Sequence, residues 1–367
     1  MDTIIAAGHI CLDITPVFPQ GRKYDDISSI LVPGKLISMG AADVHTGGSV
    51  ANTGLALKKL GCNVRLLGKV GDDAFGEIIK NIVASHGAGG LITDAGSSTS
   101  YSVVLAVPGI DSVFLHNPGS NDTFTDGDIK DEALEDAVIF HFGYPTLMKH
   151  MHEDGGSRLA AMFSRMKDKG IATSLDLTTL DPDTEAARAD WKGILAKSLP
   201  YVDFFLPSFE ELCFMLDRDR YESLAGLGGD MAESLDMERD VAPLADKCIG
   251  LGAKVVLIKC GTSGMMYKTS GRAGILKIGS RLSIDTDKWS DRSGIQPCFK
   301  APLVLSGTGA GDTSIAAYLA GVLKGKGPAD CAAYASAQGA CCVTGYDALS
   351  GLKTFDELEK MISSYEN

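Results

Sequence analysis

Hydrophobic and polar positions along this chain follow two rhythms. Six short, nearly continuous apolar runs, at residues 4–8, 64–70, 138–142, 171–177, 202–206 and 255–260, have the length and content of strands buried on both faces. Between them, residues 75–86, 156–169, 185–198 and 240–251 repeat their apolar positions at helical spacing, with polar residues on the opposite face. Such alternation predicts an α/β fold, with a mainly parallel central sheet and helices on both faces. Two pieces break the rhythm. Residues 15–46 are β-rich, and within residues 100–116 two runs, 101–107 and 112–116, flank a Pro108-Gly109 turn. The alternation of Val103, Leu105 and Val107 predicts a sheet with one apolar face. No repeat or low-complexity linker divides the chain, so residues 1–367 read as one large domain with an insert.

Composition narrows the partners. With 45% hydrophobic residues the chain can bury a large core. A formal net charge of -13 argues against nucleic acid, whose phosphates such a surface repels. No apolar run approaches the roughly 18 residues of a membrane span. Met1-Asp2-Thr3-Ile4-Ile5 lacks the basic start of a signal peptide, and nine scattered cysteines form no Cys-x-x-Cys. These features point to reduced thiols and a cytoplasmic enzyme.

The candidate chemistry lies where glycine interrupts the pattern. Ser306-Gly307-Thr308-Gly309-Ala310-Gly311-Asp312 follows an apolar stretch and runs into a long helix of small apolar residues. Glycines bring backbone N–H groups close to a ligand, and the helix start aims its free amides and positive dipole end at the same point. That is an anion site, most often for phosphate. Asp312 is an N-terminal helix acid that can instead take a proton from an incoming hydroxyl. A second segment, Thr46-Gly47-Gly48-Ser49-Val50-Ala51-Asn52, opens another helix. There Ser49 is a candidate cap, Val50, Gly54 and Leu57 a buried stripe, and Gly61 the stop. The paired glycines leave room for a ligand, and Asn52 both donates and accepts hydrogen bonds, as a polyol requires.

Together these segments resemble the PfkB/ribokinase family of carbohydrate kinases. Gly68-Lys69-Val70-Gly71-Asp72-Asp73-Ala74-Phe75-Gly76 matches a further stretch of that family, and the two signatures lie about 250 residues apart in the expected order. The resemblance implies a ribokinase-like fold whose segments at about 15–46 and 97–122 form a small β-sheet lid over a sugar. It implies ATP-dependent phosphorylation of a primary hydroxyl, with Asp312 as general base and Gly309, Ala310 and Gly311 as the anion hole. Asp13, after the first strand, would hold two sugar hydroxyls together with Gly47, Gly48 and Asn52; His116, Asn117 and Asn121 could add lid contacts. In Phe205-Leu206-Pro207-Ser208-Phe209-Glu210-Glu211, the family's Asn-x-x-Glu element carries Ser208 for Asn, and Glu211 would organise Mg2+ through water. Lys259, Gly261 and Gly264, with Thr308, Gly309 and Gly311, would line the nucleotide. Relatives often pair their lids, which implies a homodimer.

Two departures limit the transfer. Ser306 and Gly307 stand where many members have Asp-Thr, so a monovalent-cation site is not inherited. Asp176 is kept, but Thr178 and Leu180 replace the Asn and Arg of relatives that act on acidic sugars, which favours a neutral sugar or polyol. A nucleoside kinase is the alternative, with Phe114, Phe142 and Tyr144 as a wall for the base. A non-catalytic sugar or nucleotide sensor on the same fold is the alternative of another class. Residues 269–301 are longer than the family usually has at this point, and their polar stretch 285–292 does not read as core: it is either a cover for the nucleotide or a surface hairpin.

Overall fold

The computed structural model describes residues 2–19, 26–108, 113–228 and 231–365; Gly109 of the expected turn lies outside them. Fourteen strands follow in chain order: β1 Thr3–Gly8, β2 Cys11–Pro16, β3 Ala42–Gly47, β4 Asn63–Leu67, β5 Lys69–Gly71, β6 Ile92–Asp94, β7 Tyr101–Leu105, β8 Val113–Asn117, β9 Ala137–Gly143, β10 Ala172–Asp176, β11 Phe204–Phe205, β12 Val255–Lys259, β13 Met265–Thr269 and β14 Ser293–Gln296. The main sheet runs β14-β13-β12-β11-β10-β9-β1-β4. It is parallel from β4 across to β12, and β13 and β14 add an antiparallel edge.

The central strands are buried on both faces, and their side chains alternate between two cores. Phe140 and Phe142 of β9 point to one face, where Met162, Phe163 and Trp191 pack. Ile139 points to the other, against Tyr318 and Leu319 of helix Ala310–Leu323 and the small residues of helix Pro328–Cys342. The α/β architecture expected from the chain's pattern is present, with helices on both faces.

Local differences have local causes. The run at 64–70 divides into β4 and β5 at Gly68, where a side chain would collide with Ile10 Cγ2 at 2.8 Å. Residues 185–198 form two helices, Glu185–Arg188 and Trp191–Ser198, because Asp190 caps the second by accepting from Gly193 N at 3.0 Å. Helix Ser49–Lys59 carries no stripe: all of Ser49 to Leu57 is buried. Nor does Ser49 cap it; Gly48 holds that position and Ser49 Oγ is buried with no partner. Residues 285–292 are not wholly surface either. Trp289 is 2% exposed and meets Phe204 of β11 and Tyr318 edge-on, so an indole in a polar run packs into the core between sheet and helix.

A second sheet, ordered β3-β2-β7-β8, leaves the main sheet two residues after β1. Its register aligns Asp13, Ser102 and His116 in one row and Val44, Ile14, Val103 and Leu115 in the next. Successive residues of a strand face opposite ways. One face is therefore polar along the Asp13 row. The other is apolar and partly open, with Leu115 54% exposed. Among the described residues, no helix is long and apolar enough to cross a membrane.

Candidate active site

The C-terminal ends of the parallel strands, where ligands of open α/β sheets bind, bring the chemical groups together. His9 follows β1, Tyr144 follows β9, Asp176 ends β10 and Lys259 ends β12. Across from them the glycine run leads into helix Ala310–Leu323, with Gly309 left-handed at φ 75. A side chain at Gly309 would strike Ala348 Cβ at 2.3 Å, so only glycine lets this turn close against the loop that follows helix Pro328–Cys342.

Asp312, in the first turn of that helix, is 2% exposed. Its Oδ2 accepts from Asn52 Nδ2 at 2.9 Å and from the Tyr144 hydroxyl at 2.8 Å. Its Oδ1 meets the Thr53 hydroxyl at 3.5 Å. Burial raises the pKa of this carboxyl above the ordinary aspartate range, and the Asn52 and Tyr144 donors oppose that rise. Asn52 thus reaches Asp312 itself.

Lys259 donates to Asp176 Oδ1 at 2.7 Å, a pair with almost no solvent. Burial opposes the lysine's charge, but the carboxylates of Asp176 and Glu211 outweigh it and raise its pKa. The ammonium also lies 3.6 Å from where a side chain on Gly311 would begin, so it borders the glycine run. Ala310 N–H is engaged within that run, donating to Gly307 O at 3.2 Å. Thr308 N donates to Ser306 Oγ at 3.1 Å, and a serine suffices to brace this turn.

Glu211 closes a capping box: Ser208 N donates to its Oε2 at 2.8 Å, and Glu211 N donates to Ser208 Oγ at 3.3 Å. The Ser208 that replaces the expected Asn is what makes this box. Asp176, Glu211 and Asp312 put three carboxylates around one ammonium, an excess of negative charge suited to a cation. Among the described residues, no group of three or more His, Cys, Asp or Glu is placed to hold a metal directly.

On the other side, Asp13 Oδ1 accepts from Cys11 Sγ at 3.3 Å, and burial raises its pKa. Gly47 is bare backbone by necessity, since a side chain there would overlap Asp13 Oδ2 at 2.1 Å. Gly48, at φ 84, would likewise strike His9 Nδ1 and His9 O, each at 2.6 Å. His116 reaches from β8 to within 3.4 Å of His9 Nε2 and bonds Ser102 Oγ at 3.0 Å through its Nδ1. Burial, then the neighbouring His116, hold the His9 pKa down at about 3, so this imidazole is neutral. Asn121 is spent elsewhere: it accepts from Ile10 N and donates to Ile10 O, at 3.1 and 3.0 Å.

Gly261 and Gly264 flank a turn after β12, both at positive φ, and a side chain on Gly264 would meet Gln296 O at 2.2 Å. This accounts for Gly264 by packing against the end of β14.

A model of the pfkB family of carbohydrate kinases matches residues 10–354. The chain belongs to this family. Its relatives include probable fructokinase-5 of Arabidopsis thaliana, 26% identical over 87% of this chain and 88% of that protein. Fructokinase-2 of Oryza sativa subsp. japonica is 24% identical over 99% and 95%. Among solved structures, Arabidopsis thaliana ribokinase complexed with ribose and ATP superposes with a TM-score of 0.71 at 20% identity, covering 98% of both chains. Fructokinase with bound ATP from Xylella fastidiosa does so at 0.70 and 18%, covering 100% of this chain and 99% of that one.

In this pfkB kinase the motif residues Asp13, Gly47, Gly48, Asn52, Glu211, Lys259 and Asp312 all border the strand ends. His9 and the Tyr144 contact with Asp312 carry no sequence signal. They are single side chains after strand ends, and their partners lie 107 and 168 positions away. Phe142 does not line the site. It is wholly buried beneath the sheet among Phe124, Phe140 and Phe163, which removes one wall of the expected base pocket.

Proposed function

We propose that this carbohydrate kinase transfers the γ-phosphate of ATP to a hydroxyl, preferably primary, of a neutral sugar or polyol. The observation that carries this reading is the buried Asp312 carboxylate, oriented by Asn52 and set in the first turn after the glycine run. Asp312 takes the proton of the attacking hydroxyl as its oxygen bonds to phosphorus and the bond to ADP breaks. The amides of Gly309 and Gly311, the helix dipole and Lys259 stabilise the charge on the transferring group, Ala310 N–H being held by Gly307 O, and Thr308, Gly261 and Gly264 border the nucleotide. In this class of reaction most catalysis is positioning and electrostatics. Asp13, with the bare backbone of Gly47 and Gly48, accepts from sugar hydroxyls. Glu211 would hold magnesium through water, and the surplus of carboxylate charge fits a cation there. When bound, the metal screens the phosphate oxygens.

The neutral preference rests on Thr178 and Leu180, which stand where relatives that act on acidic sugars carry Asn and Arg; Lys259 is already committed to Asp176. The second sheet acts as a lid whose polar Asp13 row faces the sugar, and its apolar outer face pairs two copies. The nine free cysteines suit a reducing compartment such as the cytoplasm.

Screening sugars, polyols and nucleosides for ATP consumption with magnesium tests the substrate class. Turnover of a nucleoside alone would move the reading to a nucleoside kinase. Binding of ATP and sugar without product would move it to a sensor. Asp312→Asn should lower kcat by about 10²–10⁴-fold, the usual weight of one general base, with little change in ATP binding. Near-normal turnover would remove Asp312 as the base.

A further inference from the structure

With Asp312 read as the base, its surroundings pose a chemical problem. A carboxylate oxygen has two acceptor positions. On Oδ2 both are taken, by Asn52 Nδ2 at 2.9 Å and the Tyr144 hydroxyl at 2.8 Å. Oδ1 faces the wholly buried Thr53 within helix Ser49–Lys59. Oδ2 therefore offers no open acceptor to a water molecule in the sugar pocket. Asn52 cannot easily leave, because it sits in a helix buried on every side. Tyr144 can: it is only half-buried, at the end of a strand.

The backbone singles out the same residue. Tyr144 is left-handed at φ 64 and ψ 43, between Gly143 and Pro145. Among the described residues only Asp291 shares a positive φ without being glycine. Such a conformation costs about 1–3 kcal/mol and persists only when the surroundings impose it. Its result here is to place the phenol over the base. The ring also lies beside His9, at 6.0 Å between centroids, and His9 meets His116 of β8 at 5.2 Å. A ligand entering between Asp13 and Asp312 therefore meets this row of rings.

We propose that Tyr144 caps the base while no sugar is bound and so suppresses transfer of phosphate to water. In the wasteful reaction a water oxygen bonds to the γ-phosphorus, the bond to the ADP oxygen breaks, and the water proton passes to Asp312. The products are ADP, inorganic phosphate and a proton. In the productive reaction the sugar hydroxyl replaces the phenol as the second donor to Oδ2 and loses its proton there instead. Tyr144 is thus a positioning residue that acts through Asp312.

The test measures ATP hydrolysis with magnesium and ATP alone, and phosphorylation of whichever acceptor the screen identifies. Tyr144→Phe keeps the ring and removes the hydroxyl. Tyr144→Asn tolerates the left-handed backbone, shortens the side chain and guards against a folding failure of the first variant. Both should raise acceptor-free hydrolysis by about tenfold, the weight of one hydrogen bond to a charged acceptor, and raise its ratio to sugar phosphorylation. Adding Asp312→Asn to Tyr144→Asn should abolish that gain. Hydrolysis that is unchanged or lower in both single variants overturns the proposal, as does a gain that survives in the double variant. Near-normal sugar phosphorylation by Asp312→Asn alone would refute the base assignment instead.

Discussion

His141 shows how a single side chain ties this fold to pH. It lies in the middle of β9, wholly buried, with Nδ1 on Ser174 Oγ at 3.0 Å and Nε2 without a partner. Burial, then the charge of Lys259, hold its pKa down at about 3, against an ordinary value of 6.5. Above pH 6.5 neither the folded nor the unfolded chain protonates it, and the full stability is present. As pH falls from 6.5 towards 3, the unfolded chain takes up a proton that the native state refuses, so stability drops. By pH 5 this amounts to about 2 kcal/mol for one imidazole. Urea unfolding of wild type and His141→Gln at pH 7 and pH 5 checks it: the variant should lose less between the two. Equal losses would remove His141 from the account. At this scale the sequence shows residues whose neighbours in the chain declare them. Asp312 is announced by Gly309 and Gly311. Tyr144 and His9 are not, because tertiary contact alone gives them their place.

Helices and strands were legible as far as their burial was simple. Nearly continuous apolar strands such as β9 and β12 stand out because both faces are covered. Helix Ser49–Lys59 misleads, since a helix enclosed on every side has no polar face to set its period. Gly54 shows how tightly it is held. A methyl group there would lie 2.2 Å from Leu66 Cδ2 and 3.2 Å from Ala6 Cβ. Gly54→Ala should therefore destabilise the protein by about 1–3 kcal/mol, although alanine is the better helix former. A urea midpoint at or above wild type would show that Leu66 yields freely. Trp289 is the opposite lesson. Its polar neighbours describe a surface, and only its packing against Phe204 of β11 and Tyr318 explains why the indole is buried.

For the whole molecule, the order of strands and helices set the architecture, and two glycine-marked segments set its family. The substrate stayed hidden, because the groups that would distinguish one sugar from another are side chains gathered from several elements. The proposed pairing of two copies rests on the second sheet. Ile14, Val44, Val103 and Leu115 share its outer face, and Leu115 is more than half exposed. If that face pairs two copies, Leu115→Lys should turn a dimer into a monomer at micromolar concentration, read by analytical ultracentrifugation. A monomeric wild type would end the claim and leave the enzyme chemistry untouched.

The bond between Asn52 and Asp312 joins residues 260 positions apart. Closing a chain loop of that length is entropically unfavourable, and contacts across it form late when a chain of this size folds by stages. Hairpins and helices can reappear while the two halves of the site are still strangers. Turnover is thus a marker of finished folding, and a refolding sample will recover its circular dichroism before it recovers its enzyme.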